Sequence, residues 1–208
     1  MIDLKSLQKV VADGLEILKQ EKGLIEGVVY ASANERTIGR IVYTTHLPCA
    51  GLEEPKSDMD YGISVELWFE KSGRKMVGMG HEAGDLTDDA IRRAIAKAKR
   101  DAVEDTDFTG FLKAKELPNV NKKSNIARND MATREESELI VSLSWETIEG
   151  AIEVLSEYAK KKKLDLGELA FILNGDNFIV KERMALATTT GIVDSDESSV
   201  ILSFITAM

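Results

Sequence analysis

The chain has 208 residues, a formal net charge of −9 and one cysteine. An internal disulfide is therefore excluded, the acidic balance disfavours a phosphate-backbone partner, and no apolar window approaches the roughly 20 residues that a membrane helix needs. Hydrophobic residues make up 43% and charged residues 30%, the composition of a globular protein long enough to bury a core without staples.

The first residues, Met1-Ile2-Asp3-Leu4-Lys5, lack the basic region and apolar run of a signal peptide. The expected compartment is the cytoplasm. From Ile2 through Leu4, Leu7, Val10, Val11, Leu15 and Leu18, apolar residues recur every one to four positions, the stripe of an amphipathic helix. Asp3 fits its N-cap and Gly23 its end.

Strands follow. Leu24 to Ser32 and Thr37 to Thr45 are rich in Val, Ile and Tyr, and Ala33-Asn34-Glu35-Arg36 between them reads as a hairpin turn. His46 to Asp60 reads as a loop. Tyr61 to Glu70 alternates, with Ile63, Val65, Leu67 and Phe69 on one face and Ser64, Glu66 and Trp68 on the other. A turn at Lys71-Ser72-Gly73-Arg74 leads into a return strand, Lys75 to Gly80. A second helix is capped by Thr87, carries Asp88 and Asp89 in its first turn, and buries Ile91, Ala94, Ile95, Ala98 and Ala102.

Residues 105–138 are polar and irregular. In the back part, Ser144 is expected to cap a helix with Trp145, Ile148, Ile152, Leu155 and Ala159 facing inward. The four lysines within Lys160–Leu166 sit near its end, where cations offset the helix dipole. Three strands are expected after it, Glu168 to Leu173, Phe178 to Thr188 and Ser198 to Thr206, with turns at Asn174-Gly175-Asp176-Asn177 and Thr190-Gly191. The last strand ends close to Met208. Two readings are open: an edge strand that something else completes, or a chain cut short.

This order predicts an α+β fold of antiparallel sheets with helices packed on one face, and not a repeating βαβ unit. The expected organisation is a front part over 1–110, a linker or excursion over 111–138, and a back part over 139–208 that either has its own core or shares one with the front.

The chemistry-bearing residues are few. His46 and Cys49 have the gap of half a zinc site, but a second close pair is missing. His81-Glu82 starts like a metallopeptidase helix, yet position 85 is Asp and Gly84 interrupts the segment before Thr87. The glycines Gly78, Gly80 and Gly84 do not have phosphate-loop spacing. Ser32, Ser142 and Ser203 have no histidine and carboxylate in a recognisable order. The pair Asp58 and Asp60, and the group Asp194, Asp196 and Glu197, read as hairpin tips. Catalytic, cofactor-binding and metal residues are each expected to be none. Met76 and Met79, and the unalternating run Met184-Ala185-Leu186-Ala187, read either as a contact with another domain or subunit or as ordinary core.

Several segments together resemble the amino-terminal domain of the TldD/PmbA family. They are Tyr61-Gly62-Ile63-Ser64-Val65 through Gly78-Met79-Gly80, Asp85-Leu86-Thr87-Asp88-Asp89-Ala90-Ile91-Arg92-Arg93-Ala94, Asp107-Phe108-Thr109-Gly110-Phe111 with Glu116-Leu117-Pro118, and Glu182 through Ile192. Each is a loose pattern; their order and spacing agree over most of residues 24–208. The resemblance implies a metalloprotease-related system, known as a modulator of DNA gyrase and associated with peptide maturation and degradation, whose members pair as homo- or heterodimers. It also implies that the metal motif His-Glu-x-x-x-His, present in TldD-type and absent from PmbA-type subunits, belongs to a carboxy-terminal domain beyond this sequence. No catalytic residue carries over.

The expected role is thus a non-catalytic amino-terminal domain or short homologue that shields peptide substrate and assembles dimers. The alternative is a free-standing protein-binding module with the same fold. No cofactor is expected in the chain, and zinc is expected, if anywhere, in a missing carboxy-terminal domain or partner. The expected partners are a second copy or a TldD/PmbA-type chain, with peptide as the substrate class, and neither nucleic acid nor membrane.

Overall fold

A computed structural model describes residues 2–45, 51–111, 113 and 136–208. The elements run α1 (Leu4–Leu18), β1 (Leu24–Thr44), β2 (Lys56–Lys71), β3 (Arg74–Ala83), α2 (Asp88–Arg100), β4 (Val103–Glu104), α3 (Glu136–Lys162), a short 3-10 turn (Leu166–Glu168), β5 (Ile172–Thr188) and β6 (Val193–Ala207). The strands form one antiparallel sheet in the order β4-β3-β2-β1-β5-β6. The fold is α+β, as the pattern predicts.

Local chemistry accounts for the helix starts. The Asp3 carboxylate accepts the Ser6 N–H at 2.8 Å, satisfying a donor that the first turn of α1 leaves unpaired. The Thr87 hydroxyl accepts from Ala90 N at 3.3 Å, and Asp88 and Asp89 lie in the favourable end of the dipole of α2.

Four expectations are corrected. Residues 33–36 are not a turn: β1 passes through them as one strand of 21 residues. Residues 174–177 are not a turn either, because β5 spans them. The back part therefore has two strands where three are expected. Ser144 does not cap a helix, since α3 is already helical at Glu136 and holds Ser144 fully buried in its interior. Of the linker expected over 111–138, residues 112 and 114–135 lie outside the described residues, and 136–138 are helical.

Two compact units are assembled from interleaved segments: Met1–Asn34, Met59–Ser124 and Glu182–Ser198 in the first, and Glu35–Asp58, Asn125–Lys181 and Ser199–Met208 in the second. In the first unit, α1 and α2 pack on one face of the strands. Leu7, Val11 and Leu18 from α1 and Ile91, Ala94 and Ile95 from α2 share a core with Val29, Ala31 and Ala33 of β1, Ile63, Val65, Leu67 and Phe69 of β2, and Ala185 and Ala187 of β5. Each fully buried Ile or Leu contributes about 1.5–3 kcal/mol. The helix comes very near the sheet at β3: a Cβ on Gly78 or Gly80 would lie 1.9 Å from the carbonyl oxygen of Ala98 or Ala94. Glycine on the strand and alanine on the helix are what this approach requires.

In the second unit, α3 covers a smaller apolar core. Ile148 packs with Ile41 and Leu173, flanked by Tyr43, Leu52, Ile152, Leu155, Phe171 and Ile205. Beside it runs a polar seam, buried at Ser144 and Asn177. Asn177 donates its amide to the Ser144 hydroxyl at 2.9 Å, and Thr147 meets Ser203 at 3.2 Å. Glu136, at the first described turn of α3, accepts from Thr37 at 2.9 Å and pairs with Lys181.

Candidate functional site

Strand alternation decides the fate of the His81-Glu82 dipeptide. On β3, Gly78, Gly80 and Glu82 turn toward α2, whereas Val77, Met79 and His81 turn to the opposite face. Glu82 is held by Lys97 at 2.7 Å and Arg93 at 3.2 Å. Those cations draw its pKa below the ordinary carboxylate value. Asp85, four residues after His81, accepts from the Thr87 hydroxyl at 2.8 Å and its backbone N–H at 3.0 Å, and pairs with Arg93 at 2.6 Å. The Thr87 bonds and Arg93 depress its pKa too. These groups brace the turn that leads into α2. They do not converge on a common ligand.

The remaining sequence candidates are also dispersed. Asp58 is bound by Arg36 at 2.5 Å, and Glu197 by the buried Arg183 at 3.3 Å. Among the described residues no group of three or more His, Cys, Asp or Glu could hold a metal ion. His46 and Cys49 lie outside the described residues.

His81 has one specific partner that inspection of the sequence does not reveal. Its Nδ1 lies 3.0 Å from the Ser64 hydroxyl. The pair follows from register: with Lys71 opposite Arg74, counting back along the hairpin puts Ser64 opposite His81. The turn at Ser72-Gly73, both with positive φ, is legible and carries that information. Neither the serine nor the histidine is buried, and no carboxylate among the described residues orients the imidazole. The pair lacks the third group that turns a serine into a nucleophile.

Around it lies a continuous surface, the face of the first unit opposite α1 and α2. By alternation β1 contributes the half-buried Val28 and Tyr30, and β5 contributes Met184 and Leu186. Opposite Glu66 stands Met79, 66% exposed. Burial among these side chains raises the pKa of Glu66 above the ordinary carboxylate value. At one end Trp68 is covered: its ring stacks on Phe108 at 4.3 Å, Phe111 meets it edge-on at 4.9 Å, and its Nε1–H donates to Asp105 at 2.9 Å. Among the described residues of the first unit, no helix covers the rest of this face. Methionine and aromatic surfaces with a few polar groups suit binding more than bond-making.

The run Met184-Ala185-Leu186-Ala187 is divided between both faces. Ala185 and Ala187 complete the helix-side core, while Met184 and Leu186 belong to the open face.

Comparison with known proteins bears on the fold. No family model matches the chain, and no curated protein matches it. Solved structures do. TldE from Thermococcus kodakarensis aligns with a TM-score of 0.58 at 11% identity, over 95% of this chain and 42% of its own. A candidate modulator of DNA gyrase from Bacteroides thetaiotaomicron VPI-5482 aligns with a TM-score of 0.58 at 12% identity, over 100% and 45%. A second such protein, from Thermotoga maritima MSB8, aligns with a TM-score of 0.60 at 11% identity, over 96% and 42%. The chain spans less than half the length of each of these proteins. It has, over nearly its whole length, the fold of a part of the TldD/PmbA-type proteins.

Proposed function

We propose that the chain serves as the non-catalytic amino-terminal domain, or a short homologue, of a TldD/PmbA-type metalloprotease-related protein, shielding peptide substrate and supporting dimer assembly in the cytoplasm. The observation that carries this reading is the combination of that fold with the dispersal of every described candidate ligand. His81 and Glu82 face opposite sides of β3, and the groups near them are taken up in ion pairs. The half-buried Met, Leu, Val and Tyr side chains of the open face supply a surface for peptide or protein. Any zinc of such an assembly belongs, on this reading, to another domain or partner chain.

The test is metal content together with peptide hydrolysis by the purified 208-residue chain. The reading expects no stoichiometric zinc after dialysis against it and no turnover of an unstructured peptide mixture. One zinc per chain with zinc-dependent cleavage would overturn it.

A further inference from the structure

The two edges of the sheet differ sharply. On one side the edge is β4, two residues long. On the other it is β6, 15 residues long. Edge strands normally carry a lysine, a proline, a bulge or a cover that stops another strand from pairing with them. Over residues 198–207, Ser-Ser-Val-Ile-Leu-Ser-Phe-Ile-Thr-Ala, there is no charge, proline or glycine. Val200, Ile201, Leu202 and Phe204 are 42%, 42%, 54% and 53% exposed.

Ile172 and Met208 exchange backbone bonds of 2.9 and 3.0 Å, and Thr188 N donates to Ile192 O at 2.9 Å. Both pairs have the same register, so no bulge intervenes. In an antiparallel ladder alternate residues bond to the same neighbour. The even-numbered residues of β6 therefore bond to β5, and Ser199, Ile201, Ser203 and Ile205 direct their N–H and C=O groups to the edge that no strand of the described residues occupies.

We propose that β6 pairs antiparallel with β6 of a second copy, with the two-fold axis at Leu202. The exposed apolar run Val200–Phe204 is centred there, so each of its residues meets a residue of the same run. Leu202 faces its own copy in a non-hydrogen-bonded pair, and Val200 faces the partner's Phe204. On the other face Ile201 stands opposite the partner's Ser203. The acidic residues Asp194, Asp196 and Glu197 lie outside the paired apolar run, and the same register puts Glu197 opposite the partner's Ala207, so no two acidic side chains face each other across the contact. The ring of Phe178, stacked 6.1 Å from Phe204, extends the apolar patch on β5. The contact rests on the proposed function and gives its dimer-assembly part an interface. One strand pair buries less than a standard interface, so its dissociation constant is expected in about the micromolar range.

The experiment is sedimentation equilibrium of the full chain up to about millimolar concentration, with three variants in a Cys49→Ser background. The wild type is expected to dimerise. Leu202→Lys and Leu202→Glu, each at a half-exposed position, are expected to weaken dimerisation at least tenfold while leaving the circular dichroism spectrum unchanged, and their equimolar mixture is expected to restore it. Leu202→Cys is expected to form a disulfide-linked dimer on mild oxidation, because non-hydrogen-bonded pairs bring Cα atoms to about 4.5 Å. A dimer indifferent to charge at Leu202, or one that the Leu202→Cys variant fails to cross-link, overturns the β6 interface and leaves dimer assembly standing. A chain that stays monomeric overturns the β6 interface and, with it, self-pairing as the form of dimer assembly.

Discussion

Glycine has opposite meanings at two positions of this chain, and the difference is measurable. At Gly80 an added methyl would sit 1.9 Å from the Ala94 carbonyl oxygen, so α2 would have to move off the sheet. Gly80→Ala is expected to cost about 3 kcal/mol or more, at the upper end of single-substitution effects. At Gly150, within α3, an added Cβ would have nothing within 4 Å and no unusual φ is needed. Gly150→Ala is expected to stabilise by roughly 0.5–1 kcal/mol through helix propensity. Urea midpoints of the two variants check both signs. The ionic residues at the β3–α2 turn act with pH in a fixed direction. Glu82 and Asp85 titrate lower in the folded than in the unfolded chain. The unfolded state therefore takes up protons first, and the stability these groups supply is present at neutral pH and lost as pH falls through and below about 4. Arg93→Gln removes a partner of both, so it is expected to flatten the decline of the urea midpoint between about pH 5 and pH 2. Glu66 is the reverse case, since burial raises its pKa. Its charged form disfavours folding above its ordinary titration range, and Glu66→Gln is expected to raise the midpoint at about pH 7 and not at about pH 3.

Elements show where sequence periodicity suffices and where pairing overrides it. β2 and β3 are legible because Ile63, Val65, Leu67 and Phe69 alternate with polar residues and Ser72-Gly73 marks the turn. The stretches at 33–36 and 174–177 mislead because Asn, Asp and Gly favour turns on their own, and strand pairing overrides that preference here. In the second stretch Gly175, Asp176 and Asn177 each have a specific neighbour in the sheet or in α3. A Cβ on Gly175 would be 2.2 Å from Phe204 O, Asp176 binds Arg40 at 3.0 Å, and Asn177 is buried against Ser144. Ser144 reads as a cap for the related reason that serine favours helix starts; its hydroxyl instead serves a side chain of another element. Ser144→Ala would take from the buried Asn177 Nδ2 donor its Ser144 acceptor, at an expected cost of about 1–3 kcal/mol. In a double-mutant cycle with Asn177→Leu, the two changes should cost less together than their sum. Additive effects would mean that the seam contributes no coupling. The Ser64–His81 pair shows a third situation: the register that joins them is readable, but two residues 17 apart in sequence do not announce a common face until the hairpin is counted.

At the scale of the molecule, the fold is that of part of the TldD/PmbA-type structures, at identities of 11% and 12%. A fold can be shared at such identities because packing constrains the volume and pattern of side chains more tightly than their identity. No helix of the described residues is long and apolar enough to cross a membrane. The functional proposal depends on another chain or domain holding the chemistry. The most direct test is affinity capture of this chain from its source cells, followed by the mass and sequence of what comes with it. The account predicts a partner or continuous chain carrying His-Glu-x-x-x-His. Recovery of the 208-residue chain by itself, as monomer or self-dimer, would contradict the link to proteolysis and leave a domain that works alone.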